Sequence, residues 1–156
     1  MKRWVMVLCA AIVPSFAQGV LFGELMSASL GLVPNLSVGA VFRAGVTQAV
    51  GPLDVRVGVV VSADGGGSLL GVNLDALYPL PVGLQNGRLD VGVGLGFATA
   101  AAASQSATDF AFRGLLGYEL ALQPDLAIRV EPVLEYAFNA QRAYFSVNLG
   151  PRVYLR

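Results

Sequence analysis

Residues 128–139 run Ile128-Arg129-Val130-Glu131-Pro132-Val133-Leu134-Glu135-Tyr136-Ala137-Phe138-Asn139. Odd positions carry Arg129, Glu131, Val133, Glu135, Ala137 and Asn139. Even positions carry Ile128, Val130, Pro132, Leu134, Tyr136 and Phe138. A period of two puts successive side chains on opposite faces of an extended chain. The stretch is therefore a strand with a polar face and an apolar face. The following stretch repeats the pattern. Tyr144, Ser146, Asn148, Gly150, Arg152 and Tyr154 stand against Phe145, Val147, Leu149, Pro151, Val153 and Leu155.

The same rhythm runs back through the chain. Arg113, Gly117, Glu119 and Ala121 oppose Phe112, Leu116, Tyr118, Leu120 and Leu122, with Leu115 breaking the polar face. Asp90, Gly92, Gly94 and Gly96 oppose Leu89, Val91, Val93, Leu95 and Phe97. Gly71, Asn73 and Asp75 oppose Leu70, Val72 and Leu74. Asp54, Arg56 and Gly58 oppose Val55, Val57, Val59 and Val61. Ser37, Gly39, Arg43 and Gly45 oppose Leu36, Val38, Ala40 and Phe42. A first strand near residues 20–32 alternates Ser27, Ser29 and Gly31 with Met26, Ala28 and Leu30. Continued backwards, that alternation leaves Glu24 on the apolar face, as a residue below the lipid or a bulge. Turn-like connectors separate the strands at Pro34-Asn35, Gly51-Pro52, Asp64–Gly67, Gln85–Gly87, Gln123–Asp125 and Gln141-Arg142. The Ala- and Ser-rich link Thr99–Thr108 is expected to be a mobile loop. The fold class is all-β, with about eight antiparallel strands.

Composition says what surrounds these strands. The chain has 156 residues, enough for one domain, and is 55% hydrophobic and 13% charged. Soluble domains carry about 25% charged residues. Yet no run approaches the ~20 apolar residues of a membrane helix. The remaining way to span a bilayer is a closed barrel whose backbone bonds are all made between strands.

The N-terminus has the form of an export signal. Lys2 and Arg3 precede an apolar core, Trp4–Val13, and Pro14-Ser15-Phe16-Ala17 ends in small residues. Cleavage after Ala17 divides the chain into a signal peptide, 1–17, and a barrel domain, 18–156. Cys9 follows Leu8, where a lipid-attachment site would need a small residue. It is read as part of the signal. The exported part then holds no Cys, Trp, Lys or His and is slightly acidic. That excludes disulfides and leaves no basic patch for nucleic acid.

Alternation alone does not say which face is inside. Glycines decide it, since Gly39, Gly45, Gly58, Gly71, Gly92, Gly94, Gly96, Gly117 and Gly150 all share the charged face. The interior of an eight-stranded barrel is only wide enough for side chains to fill it, so small residues belong there. The Leu, Val, Phe and Tyr face would be far too large an apolar patch in water. Phe97, Phe110, Phe112, Phe138 and Phe145 gather at one end of the strands, as an interfacial girdle would.

The interior charges are then Arg43, Asp54, Arg56, Asp75, Asp90, Arg113, Glu119, Arg129, Glu131, Glu135 and Arg152. Turn positions pair Arg56 with Asp75, Glu119 with Arg129 and Arg113 with Glu135. A turn centred on Gln141-Arg142 pairs Glu131 with Arg152. Buried charges persist when paired, so a structural filling of the lumen is expected.

With its strands, signal and polar interior, the chain resembles the small bacterial outer-membrane β-barrels of the OmpA/OmpX-like superfamily. The resemblance runs from about residue 20 to Arg156. It implies a closed up-and-down transmembrane barrel, with its N-terminus and short turns on the periplasmic side. It also implies contact with outer-membrane lipid and with the outer-membrane assembly machinery. Such barrels commonly end in an aromatic residue, whereas this chain ends Val153-Tyr154-Leu155-Arg156.

No histidine is present, so a Ser–His–acid site or a His metal site is impossible. Gly92-Val93-Gly94-Leu95-Gly96 lacks the helix that a dinucleotide fingerprint requires. No cofactor, metal or catalytic residue is expected. The expected function is a structural or envelope-maintenance barrel with a polar, largely filled interior. The alternatives are a narrow porin-like channel and a soluble periplasmic barrel that binds a hydrophobic ligand.

Overall fold

A computed structural model describes residues 19–33, 36–64, 66–102 and 105–155. The expected signal at 1–17, the expected Pro34-Asn35 turn and the Arg156 ending lie outside these residues. Eight strands follow in order: β1 Leu21–Val33, β2 Ser37–Val50, β3 Leu53–Asp64, β4 Gly67–Pro79, β5 Gly87–Ala102, β6 Gln105–Gln123, β7 Leu126–Ala137 and β8 Arg142–Leu155. Each pairs antiparallel with the next, and β8 pairs with β1. The sheet closes into an up-and-down barrel and leaves no open edge.

The two faces separate as the period of two demands. Val57, Leu70, Val93 and Leu134 point outward and are each more than half exposed. Arg56, Asp75, Arg113 and Glu131 point into the barrel and are buried. A soluble barrel holding a hydrophobic ligand would need the apolar face inside, so that alternative fails. The aromatic cluster sits on β5–β8. Phe110 stacks on Phe138 with centroids 5.7 Å apart, and Tyr136 meets Phe138 edge-on at 5.4 Å.

Strand β1 departs from a simple alternation. Glu24 pairs with Arg43 of β2, but Ser27 pairs with Val41. Against β8, Glu24 pairs with Arg152 and Ala28 with Leu149. Both ladders place one extra residue in β1, which is a β-bulge. The bulge reverses the facing of the strand. Leu21 and Leu25 point outward before it, and Leu30 and Leu32 after it. Glu24 therefore points inward.

In the link Thr99–Thr108, residues 99–102 and 105–108 are paired strand, not a loop. Thr99 pairs with Thr108, Ala100 with Ala107, Ala101 with Ser106 and Ala102 with Gln105. The two threonine hydroxyls lie 3.0 Å apart. No Gly, Pro, Asn or Asp interrupts residues 99–108, so nothing in the chain stops the ladder before its tip.

Candidate functional site: the barrel lumen

The lumen has two parts, and register fixes which residues enter each. The part towards the chain termini is filled by charge. Six guanidiniums, of Arg43, Arg56, Arg88, Arg113, Arg129 and Arg152, meet six carboxylates, of Glu24, Asp54, Asp75, Asp90, Glu119 and Glu131. All except Arg88 are at least nine-tenths buried. In so apolar a surrounding an unpaired charge would be very costly, so each must meet its counter-charge.

Glu24 is the centre of the network. Its Oε2 accepts from Arg43 Nη1 at 2.6 Å, and its Oε1 from Arg56 Nη1 at 2.9 Å and Arg152 Nη2 at 2.5 Å. Arg129 Nε lies 3.7 Å away. Arginines from four strands thus meet on one carboxylate. Glu131 forms a second node, with Arg56 Nη2 at 2.7 Å, Arg129 Nη2 at 2.8 Å and Arg43 Nη2 at 3.0 Å. Asp90 binds Arg129 through both oxygens, at 2.7 and 2.6 Å. This is the bidentate geometry that suits a guanidinium.

Glycines make this density possible. A Cβ at Gly94 would lie 2.1 Å from Asp75 Oδ1, and one at Gly117 would lie 1.9 Å from Arg129 Nη2. Any other residue at either position would push into an ion pair. An apolar contact between Leu77, Leu115 and Val133 completes the filling. Leu115, the residue that breaks the polar face of β6, belongs to it.

The expected pairs can be compared with the observed ones. Arg56 faces Asp75, with Nε to Oδ2 at 3.0 Å. Arg113 faces Glu135, with Nε to Oε2 at 3.1 Å. Glu119 faces Arg129 in register, but the charges are 3.9 Å apart and Glu119 is closer to Arg152, at 2.8 Å. The pairing of Glu131 with Arg152 is overturned, since Glu131 lies opposite Asn148 and Arg152 opposite Ala127. The hairpin turns at Phe138–Gln141, two residues earlier than a turn centred on Gln141-Arg142. Asp109 of β6 holds it there. Asn139 N–H donates to Oδ1 and Ala140 N–H to Oδ2, both at 2.8 Å. Gln141 takes the left-handed backbone conformation that completes the turn, with φ 51°.

Asp54 has a local task at the terminal end. Its Oδ1 accepts from the Gln48 N–H at 2.9 Å, where β2 bulges and Gln48 has φ 50°. Its other oxygen takes Arg88. Nearby, Tyr154 O–H donates to Glu119, and the Arg152 guanidinium lies 4.2 Å over the Phe22 ring.

Glu24 and Arg88 are participants that the strand patterns do not place on the polar face, and Tyr154, which they do place there, carries no charge to mark it. A lone acid on an apolar face was the signal for Glu24, because a charge there would face lipid unless a bulge turned it inward. Arg88 shares the face of Asp90 and falls just before the first alternating residue of β5.

The other part of the lumen, away from the termini, is open. A cavity of 740 Å³ reaches the barrel mouth, walled by small residues that include Gly71, Gly96, Ala98, Ala111 and Ala137. The expectation of a largely filled interior therefore holds for the terminal side only. Leu69, Glu135 and Tyr144 are larger members of the same wall.

No protein-family model matches the sequence, and no curated protein does. Solved structures do match in fold. Neisserial surface protein A superposes with TM-score 0.67 at 13% identity, covering 88% of this chain and 97% of that one. The N-terminal β-barrel domain of Pseudomonas aeruginosa OprF gives 0.66 at 14%, covering 88% and 100%. A major outer membrane protein from Thermus thermophilus gives 0.65 at 12%, covering 87% and 99%. The chain has the fold of the small eight-stranded outer-membrane barrels.

Proposed function

We propose that this chain is a bacterial outer-membrane barrel with a structural, envelope-maintaining role, exported by a cleaved signal at residues 1–17. The observation that carries this reading is the division of its two faces. The outer face is a continuous apolar belt suited to outer-membrane lipid, while the terminal half of the lumen is closed by paired charge. Connectors at the mouth are short, which leaves little surface for a large partner. The chain has no histidine, and the carboxylates of the network are engaged by arginines, so the reading is of a scaffold and not an enzyme. Assembly requires the outer-membrane folding machinery.

Membrane fractionation with heat-modifiable gel migration tests the proposal. Extraction by detergent alone, with a faster-migrating unheated band, is the expected result. Recovery in the aqueous periplasmic fraction would overturn it. Planar-bilayer recordings address the channel alternative. The ion network predicts electrical silence, and resolved conductance steps would favour a narrow pore.

A further inference from the structure

We propose that the open mouth of the barrel is a binding site for a small organic ammonium ion, with Glu135 as its counter-charge. The inference goes beyond a structural role. Three observations meet in this cavity.

Its volume, 740 Å³, is within the range of small-molecule sites, roughly 300–1,000 Å³. Its wall is largely Gly, Ala and Ser, so it presents a smooth surface against which a compact apolar body can lie.

The charges lining it have one sign. Glu135 and Asp109 are the charged residues of the wall, and no Arg or Lys joins them among the described residues. Both oxygens of Asp109 are taken by backbone N–H groups of Phe110, Asn139 and Ala140. Glu135 makes no such backbone contact, and of the two carboxylates it is the one not committed to holding a turn.

Glu135 is also in excess. The deeper network balances six guanidiniums against six carboxylates, and Glu135 is the seventh acid. Its neighbour Arg113, at 3.1 Å, is shared with Asp75 at 2.8 Å, and Asp75 also holds Arg56 at 3.0 Å. A third of the Glu135 side chain remains exposed to the cavity. A half-buried carboxylate with a divided partner favours an incoming positive charge.

An anion would find no cation in the wall among the described residues, and a neutral hydrocarbon would leave the exposed part of Glu135 without a counter-charge.

The test uses the whole exported chain in detergent micelles or lipid nanodiscs, with phenethylammonium as probe and phenethyl alcohol as its uncharged counterpart. Binding is followed by amide chemical shifts of Gly96, Ala111 and Ala137. Saturable binding of the ammonium is expected, at least tenfold tighter than the alcohol. Glu135→Gln should weaken the ammonium tenfold or more and leave the alcohol within about twofold. Ala98→Phe, which fills the cavity, should abolish both. Heat-modifiable migration reports that each variant has folded. Should Glu135→Gln not fold, the ratio of ammonium to alcohol in the unaltered protein still decides. Equal affinity for the two probes overturns the proposal, as does unsaturable binding, or ammonium binding unchanged by Glu135→Gln or Ala98→Phe.

Discussion

The two ends of this lumen are built by the same eight strands with the same period, and they differ in one respect. Towards the termini, long charged side chains stand beside glycines, as Asp75 beside Gly94 and Arg129 beside Gly117. Towards the mouth, small residues stand beside small residues, as Gly71 beside Ala98 and Gly96 beside Ala111. The strand scaffold therefore does not decide whether an eight-stranded barrel is filled. The pairing of side-chain sizes across the ladder decides it. One half is rigidified by charge that must be matched, and the other is left as space.

The largest effect should come from removing the centre of the filled half. Glu24→Ala leaves three guanidiniums in direct contact without their shared acceptor. Loss of one partner of a buried ion pair costs about 3–5 kcal/mol, and here several pairs lose the same partner. The folded fraction in a urea titration with gel-shift readout should fall accordingly. A urea midpoint equal to the unaltered protein would show that the network does not stabilise the barrel. Gly94→Val comes next. Its side chain would enter the space of Asp75, and overpacking of this kind costs about 1–3 kcal/mol. The same volume added at Ala98, beside open space, should change the urea midpoint far less. Similar losses at the two positions would erase the distinction between the two halves.

The smallest effect concerns the rim. Asp109 lies beyond the aromatic cluster, and the N–H of Asn139, followed by those of Ala140 and Phe110, holds its carboxyl below the usual carboxylate range. A depressed carboxyl stabilises the fold above its ordinary range, and that contribution fades as pH falls through the lowered value. At neutral pH the turn is fully held. Asp109→Asn should speed hydrogen exchange of the Asn139 and Ala140 amides several-fold. In the unaltered protein the same acceleration should appear only under strong acid. Unchanged exchange in the variant would mean that Gln141 and the strand ladder hold the turn by themselves.

Most of this architecture is legible in the sequence, because a period of two is a local property and every interior charge except Glu24 obeys it. What escapes depends on contacts between strands. The bulge in β1 is hidden because Leu25 and Met26 are both apolar, so neither marks the change of face. The β7–β8 turn contains Phe138, Asn139, Ala140 and Gln141, without Gly or Pro, and its position is set by an acid from β6. The Ala-Ser stretch 99–108 resembles a loop in composition, yet it pairs because each half is the other's partner. The cavity at the mouth is a property of neighbours across the ladder, which no single strand displays.

The meeting of Glu24 with Arg152 joins the first strand to the last, 128 residues apart in the chain. Before that meeting each charge has partners on its own side of the seam, Glu24 in Arg43 and Arg56, and Arg152 in Glu119. Closure of β8 onto β1 joins these two groups into one network. The interior ion pairs therefore act as a latch on the seam, so that the last strand is held to the first by charge as well as by the backbone ladder.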